Sequence, residues 1–479
     1  NTTIIDFQGD LDVSWADRFD QSTFSNEKDG TTTLTDDIPD QTALHGVLKK
    51  IRDLGLPLLS VNHLDLDWEN SSMENKLKRF LRRAGMVVGI LVGALIIVVL
   101  SLYLLKPKSP RPAGRLVNAE ELEDFLNQVV ASQHPPGLSV AVVKDGEVVY
   151  ANGFGLADGP GNVHATKDSV YHWWSMTKIP TAVAVMQLYE RDLLDIDDPI
   201  GNYLPFFKVT YKGSENPNIT IRQVLNHSSG LPDAMPELVT WLHSEGDPPV
   251  NQTELVIDKF SEYDQLVFAP GDKTRYSNWG YMVLGALIEA VTGQTYEQYV
   301  IENILSPLGM QNTNFVYTEA MVENEAIGSQ HLVDLFTPFF PIYGLTFMIR
   351  EREGLRYWFH RVYNDQTPPT GLIGPVTDMA RFMITYLSEG EPILQPSTIS
   401  LINDSLGQLS APGDTVRGLG WEAHLTTDGR RYLTHSGGGP GFASIFRVYP
   451  EENLGVVMLG NDSSIDRQIL ADALANMDW

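Results

Sequence analysis

The sequence predicts a mixed α/β protein in three parts: a small βαββαβ module, a single membrane-spanning helix and a large C-terminal α/β (α+β) domain. Three observations predict it. A run of 22 uncharged residues, 84–105, rich in Val, Ile, Leu, Gly and Ala, divides the chain. On both sides of it, short apolar stretches of strand period alternate with longer stretches of helical period. Clusters of Gly, Asp and Asn punctuate them as turns. The expected boundaries are 1–67 for the module, 68–83 for a basic juxtamembrane segment, 84–105 for the span, 106–115 for a Pro-rich linker and 116–479 for the large domain.

In the module, Thr3–Phe7 reads as a strand and Trp15–Phe19 as a short helix. Ser22–Asn26 and Thr31–Thr35 flank Lys28-Asp29-Gly30, a hairpin signal. Asp40 stands where it caps a helix running to Leu54, in which Leu44, Val47, Leu48 and Ile51 recur at helical spacing. Gly55 ends that helix, and Leu56–Val61 gives the last strand. This order is that of a ferredoxin-like split sandwich, a fold that carries no function by itself.

The run 84–105 rises about 33 Å as a helix, enough to cross a hydrocarbon layer. It lacks the polar stripe of a soluble helix. Gly89 and Gly93 have the spacing of a helix-pairing face. Lys76, Lys78, Arg79, Arg82 and Arg83 precede it; Lys106, Lys108, Arg111 and Arg115 follow. The denser basic flank, with no export signal ahead of the module, predicts the N-terminus inside and the large domain on the extracytoplasmic side. Lys106-Pro-Lys-Ser-Pro-Arg-Pro112 is a semi-rigid tether. Asn218, Asn251 and Asn461 lie in Asn-x-Ser/Thr sequons, which matter in a glycosylating host.

Composition narrows the chemistry. The chain has 479 residues, is 43% hydrophobic, and carries a net charge of −27, of which −22 falls on residues 106–479. An acidic surface disfavours nucleic acid. The absence of cysteine excludes disulfides, thiol catalysis and Cys-ligated metals. His331, His360 and His424 have no metal-ligand spacing, and neither H-E-x-x-H nor Gly-x-Ser-x-Gly occurs. The expectation is an enzyme without metal or cofactor, whose partners are a small-molecule or peptide acyl substrate and, through 84–105, the lipid bilayer.

Three motifs of the large domain carry that expectation: Ser175-Met-Thr-Lys178, Tyr276-Ser-Asn278 and His435-Ser436-Gly437-Gly438. The hairpin Leu138–Val143/Val148–Phe154 precedes them. Ser175 is expected to open a helix running to Glu190, where positions three apart share a face and Lys178 reaches the Ser175 hydroxyl. Burial would lower the lysine pKa and make it a base. Tyr276, in a loop before the helical run Tyr281–Thr292, suits proton shuttling, and Asn278 offers its amide to substrate. His435 to Gly439 leads into the strand Phe442–Val448, followed by Leu454–Leu459. Glycines there permit close backbone approach, with the Ser175 and Gly438 N–H groups as candidate oxyanion donors. Ser25-Asn-Glu-Lys28 repeats the first motif at a polar turn without the other two, so context decides between them. His227 reads as a structural histidine.

From about residue 116 onward the chain resembles the serine β-lactamase and penicillin-binding-protein superfamily, on the class C (S12 peptidase) branch. Besides the three motifs, the resemblance rests on Pro136–Val142, Leu194–Pro199, Ile219–Gly230 and Ser306–Met310. It implies an antiparallel sheet flanked by helices, a helical subdomain, and a cleft between them. It also implies Ser175 as acylated nucleophile, Lys178 and Tyr276 as proton-transfer groups, and an oxyanion hole from Ser175 and Gly438. The function it implies is a serine hydrolase of the esterase, D-amino-acid peptidase or β-lactamase type. The rival is a non-catalytic cell-envelope binding or sensor protein that keeps the fold. The stretch Asp40–Val61 resembles small bacterial proteins of unknown role.

Two features depart from the superfamily pattern. His435 stands where a lysine is usual, which weakens the case for β-lactams and peptide carboxylates and favours esters or other amides. Trp173 and Trp174 precede the nucleophile; they either narrow an acyl pocket or, as large aromatics more often do, pack in the core. The aromatic segment Leu332–Ile349, with Phe336, Phe339, Phe340, Tyr343, Phe347 and Met348, has three readings: core packing, a lid over the cleft, or a patch on the bilayer. Burial of apolar runs ranks core first.

Overall fold

The computed structural model describes residues 2–9, 19, 22–64, 66–105, 109–215, 217–234, 241–244, 250–334, 337 and 340–479. The chain divides into two compact units, Asn1–Ser101 and Leu102–Trp479.

In the first unit, β1 (Thr2–Gln8), β2 (Thr23–Asn26), β3 (Thr31–Asp37) and β4 (Leu58–Leu64) form one antiparallel sheet in the order β2-β3-β1-β4. Strand alternation turns Ile5, Phe7 and Leu34 to one face, where they pack with Ile51 of helix α1 (Gln41–Asp53). Asp40 caps α1, its carboxylate accepting from the Ala43 N–H at 2.9 Å, and Gly55 leaves it with φ +73°. The last strand starts at Leu58 rather than Leu56. The Leu56 N–H still bonds back to the Ile51 carbonyl, and Pro57 has no N–H for a ladder. Of the helix expected at Trp15–Phe19, residues 15–18 lie outside the described residues; Phe19 is buried in the core of this unit.

Helix α2 (Leu66–Leu105) runs unbroken for 40 residues. The segment 68–83 is therefore helical and continuous with the apolar run, because nothing in it is a helix breaker. Its stretch Lys78–Val98 has a mean hydropathy of 2.1, and its apolar side chains are exposed. Among the described residues it is the one helix long and apolar enough to cross a bilayer.

The second unit opens with α3 (Ala119–Ala131), capped by Asn118, which accepts from the Glu121 N–H at 2.9 Å. Strands β5 (Gly137–Lys144) and β6 (Glu147–Asp158) form a hairpin about Asp145 and Gly146, both at positive φ, and β7 (Val163–His164) follows. With β8 (Val416–Arg417), β9 (Glu422–Leu425), β10 (Arg431–Gly439), β11 (Phe442–Tyr449) and β12 (Leu454–Gly460) they make an eight-stranded antiparallel sheet in the order β8-β9-β10-β11-β12-β5-β6-β7.

Helices cover both faces, so β11 and β12 are buried throughout and read as continuous apolar runs. Val457 and Leu459 join the core shared with α4 (Lys178–Glu190), α5 (Asn278–Thr292) and α6 (Val376–Leu387). Val456 and Met458 point the other way, toward α3 and α7 (Arg467–Ala475). The sequon residue Asn461 is buried: its side chain accepts from the Gly137 N–H and donates to the Leu156 and Ala157 carbonyls. It is a strand lock, closed to glycosylation in the folded chain.

The segment Leu332–Ile349 splits by face. Phe340, Leu345 and Met348 are buried in the main core, whereas Ile342, Tyr343 and Phe347 are exposed. Phe336, Pro338 and Phe339 lie outside the described residues.

Helix α5 approaches the turn Thr367–Thr370 so closely that a Cβ on Gly285 would stand 2.2 Å from Cγ of Pro368. Gly285→Ala should therefore lower stability by about 1–3 kcal/mol through overpacking. Denaturant unfolding read on tryptophan fluorescence checks this, with Gly46→Ala, where the added methyl meets nothing within 4 Å, as control.

Candidate active site

Chain entry to the first motif is strained. Trp174 adopts φ +50°, a region that L side chains with a large ring rarely occupy. The next residues form a 3-10 turn, Trp174–Thr177, and the α-helix begins only at Lys178. The expectation that Ser175 opens the helix is thus corrected by one turn. Pro180 is the reason available in the sequence: it has no N–H to give the Met176 carbonyl, so α-type bonding cannot extend back over Ser175. Ser175 and Lys178 still share a face, with Lys178 Nζ 3.4 Å from Ser175 Oγ.

Lys178 is 0% exposed, while Ser175 is the one partly exposed residue in the run 171–180. Lys178 Nζ donates to Asn278 Oδ1 at 2.7 Å and to the Pro369 carbonyl at 3.1 Å. The Tyr276 ring lies 4.8 Å and the Tyr281 ring 5.5 Å from Nζ. The Tyr276 phenol also lies beside Ser175, which favours its ionised form against burial. The hydroxyl and the amine, three residues apart, and the phenol, 98 residues beyond the lysine, therefore meet in one cluster.

Asn278 was expected to face substrate, and the structure corrects this. It is the first residue of α5, which starts at Asn278 rather than Tyr281 because Ser277 caps it, accepting from the Gly280 N–H at 3.0 Å. The Asn278 amide is buried, its oxygen on Lys178 and its Nδ2 donating to Asp233 Oδ1 at 3.1 Å. Asp233 also accepts from the Asn278 backbone N–H at 3.0 Å. Asp233 thereby fixes which end of the amide faces the lysine. No spacing rule singles out Asp233 or the Pro369 carbonyl in the sequence.

Strand β10 passes directly over the nucleophile turn. A Cβ on Gly437 would stand 2.0 Å from the Trp173 carbonyl and 3.1 Å from Ser175 N; one on Gly439 would enter the Trp174 ring. Only glycine permits this approach. Ser444 Oγ, on the neighbouring strand, donates to the Trp173 carbonyl at 2.7 Å and ties turn to sheet. Gly438 follows Gly437 on β10, and Arg467 donates to the Gly437 carbonyl beside it. His435 Nδ1 donates to the Ser436 carbonyl at 3.0 Å. Strand alternation puts the Ser436 side chain on the face opposite His435. Trp173 and Trp174 are wholly buried, with Trp173 Nε1 donating to the Gly374 carbonyl at 3.0 Å, so both pack the core rather than wall an open pocket.

The electrostatics follow from burial. Desolvation holds the Lys178 amine well below the ordinary lysine range, against the opposing pull of Asp233 and Glu422. Burial, with Lys178 nearby, lowers His435 to about 4, so the residue that replaces the usual lysine is neutral at pH 7. Burial raises the Tyr276 phenol, which stays protonated. Burial also opposes ionisation of Glu422, but hydrogen bonding to His424 and the ion pair with Arg417 at 2.7 Å outweigh it and hold its pKa at about 2. His227 accepts from the Ser277 N–H at 3.2 Å on Nδ1 and packs its ring 4.6 Å from that of Tyr276, a structural support of the phenol. By contrast, Ser25 is exposed on β2 and Lys28 is exposed in the turn that follows it, in the first unit. The sequence expectation of both at a turn is corrected for Ser25 because it pairs with Thr33 of β3.

A helix–sheet–helix domain with a Ser-x-x-Lys turn under a Gly-rich strand defines the serine β-lactamase and penicillin-binding-protein-like superfamily. The chain belongs to the beta-lactamase family, whose model matches residues 122–476. Residues 4–62 match a domain of unknown function (DUF8691). Protein flp of Staphylococcus aureus is 27% identical over 357 residues, covering 73% of this chain; the match spans 65% of that protein's own length. Penicillin-binding protein 4* of Bacillus subtilis is 27% identical over 73% of this chain and 74% of its own. Among solved structures, the octameric penicillin-binding protein homologue from Pyrococcus abyssi superposes with a TM-score of 0.62 at 28% identity, over 75% of this chain and 77% of that one. The D-amino acid amidase from Ochrobactrum anthropi shares the fold, with a TM-score of 0.56 at 23% identity over 71% of this chain and 91% of that one.

The depressed lysine has a consequence for stability. Its folded pKa lies below its unfolded value, so between the two the unfolded chain binds more protons and stability rises with pH. Lys178→Met removes this dependence. The stability gap in favour of the variant should be widest at low pH and should close as pH approaches about 10.4, the ordinary lysine value. Urea unfolding of both proteins at a series of pH values measures the gap.

Proposed function

We propose that this chain is a membrane-anchored serine hydrolase that works through an acyl-enzyme on an ester or amide. The observation that carries the reading is the bonding of one nitrogen. A neutral amine has two hydrogens and one lone pair. Asn278 Oδ1 and the Pro369 carbonyl accept but cannot donate, so they take the two hydrogens. The lone pair is left for the third neighbour, the Ser175 hydroxyl.

In the proposed first step Ser175 Oγ attacks the substrate carbonyl carbon and its proton passes to Lys178 Nζ. The carbonyl electrons move to oxygen, where the Ser175 and Gly438 N–H groups stabilise the charge. As the carbon–leaving-group bond breaks, the Tyr276 hydroxyl delivers a proton to the leaving group and is reprotonated from the Lys178 ammonium. Water then attacks the acyl-enzyme, with its proton returned through the same amine, and frees the acid and Ser175. Asp233 is a positioning residue, acting through Asn278.

The neutral His435 supplies no cation for a substrate carboxylate, which favours uncharged acyl groups. The names of the relatives, a D-amino acid amidase and a penicillin-binding protein, keep D-configured amides and β-lactams in the candidate range beside esters. Helix α2 is the proposed anchor, with the N-terminus inside and the large domain outside, and the first unit is proposed to be a ferredoxin-like split sandwich on its strand order.

A panel of nitrophenyl esters, D-Ala-D-Ala peptides and a chromogenic cephalosporin tests the reading: turnover of at least one is expected, and turnover of none, with tight ligand binding, would replace it by a binding role. A fluorophosphonate probe should label the wild type, not Ser175→Ala, and should label Lys178→Met about 10²–10⁴-fold more slowly. Equal labelling of wild type and Ser175→Ala removes Ser175 from the mechanism.

A further inference from the structure

Outside the cleft, the second unit carries an apolar surface that its own core does not use. On the turn after Phe340, three side chains point inward and three outward. Phe340, Leu345 and Met348 are buried, with Phe340 5.8 Å from Phe359, and they hold the turn rigidly. Ile342, Tyr343 and Phe347 project outward, exposed by 73%, 44% and 43%, and Leu355 adds 58% from the adjacent hairpin. Among the described residues Ile342 is more exposed than any large apolar side chain of the apolar helix α2. Large apolar side chains held out in water are costly, and exposed apolar surface of this kind marks an interaction surface.

The partner is indicated by where the chain enters this unit. The sequence leaves only residues 106–108 between the end of α2 and Ser109. The Ser109 hydroxyl donates to the His134 carbonyl at 3.4 Å and accepts from the Asp466 N–H at 3.3 Å. The His134 ring packs 5.2 Å from that of His331, and Arg356 donates to the Gln133 carbonyl. His331 in turn bases the apolar turn: its carbonyl accepts from the Thr337 hydroxyl at 2.9 Å, its ring from the Val333 N–H at 3.1 Å. The Leu332 N–H, one residue on, donates to the Leu355 carbonyl at 2.8 Å. The entry of the tether and the apolar turn thus both connect to the short strand Ser329–His331, the first through His134 and the second through hydrogen bonds to His331. Four residues of chain span at most about 14 Å, so an anchored α2 would hold this side of the domain at the bilayer.

We propose that Ile342, Tyr343, Phe347 and Leu355 form a second lipid contact, inserting into the headgroup–acyl boundary of the membrane that α2 crosses. The inference rests on the membrane-anchored reading. Ile342 and Phe347 suit the acyl side, and Tyr343 has a polar tip for the headgroup level. With one contact at the tether and one at the turn, the domain is fixed in orientation instead of swinging on its linker.

The chain has no cysteine, so single labels are clean. Ile342→Cys, Phe347→Cys and, as control, Leu193→Cys (49% exposed, after α4) carry an NBD fluorophore in the full chain, reconstituted in phosphatidylcholine vesicles. Labels at 342 and 347 should emit to the blue of the control and lose intensity when doxyl-labelled phosphatidylcholine is included. Solvent-like emission at both positions, in protein that resists carbonate extraction, overturns the contact while leaving the anchor intact. Protein extracted by carbonate overturns the anchor and the contact with it. A blue shift that grows with protein density and is untouched by the lipid-borne quencher assigns the patch to a second copy of the chain and overturns the proposal.

Discussion

A primary amine enclosed by protein, with two carbonyl oxygens beside it, has few ways to bond. In Lys178 this constraint organises the second unit. Keeping an ammonium ion buried costs several kcal/mol, and Asp233 and Glu422 offset only part of it. Releasing the proton removes that cost at ~1.4 kcal/mol for each pH unit below the ordinary pKa. The amine is thereby biased toward its neutral form, and Asn278 and Pro369 then dictate where its lone pair goes.

Each of those two acceptors is held by the fold. The Asn278 amide is oriented by Asp233 and stands at the capped start of α5. The Pro369 carbonyl belongs to a turn against which α5 packs without room for a Cβ at Gly285. From the sheet side, Gly437 and Ser444 bring β10 and β11 onto the backbone of the nucleophile turn. The strained φ of Trp174 is sustained by the burial of its ring in the core. Strain, helix packing and sheet therefore converge on one atom pair, Ser175 Oγ and Lys178 Nζ.

Much of this was legible in the sequence, and the unread part has a common cause. Periodicity and turn residues mark the hairpin at Asp145-Gly146, the capped helix after Asp40 and the apolar strands 442–448 and 454–459, because local chemistry decides them. The three motifs mark Ser175, Lys178, Tyr276 and the glycines of β10, whose residue types have few other reasons to recur in that order. What escaped was decided by tertiary contact. Asn278 looks available for substrate until Lys178 and Asp233 occupy both ends of its amide. Asp233 and the Pro369 carbonyl have no signature, since one is an ordinary loop carboxylate and the other is backbone. The helix start at Lys178 rather than Ser175 depended on Pro180, a residue visible in the sequence whose reach back to Met176 shows only once the turn is built. The aromatic segment near residue 340 divides by face, which composition alone does not resolve.

The most direct test of the account is the protonation of that one amine. With lysine labelled at the ε-carbon, an NMR pH titration follows each side chain, and the Lys178 resonance is identified by its loss in Lys178→Met. The account predicts that Lys178 titrates well below the exposed lysines and is already largely neutral where they remain charged. A Lys178 signal that moves together with the surface lysines, near about 10.4, would contradict it.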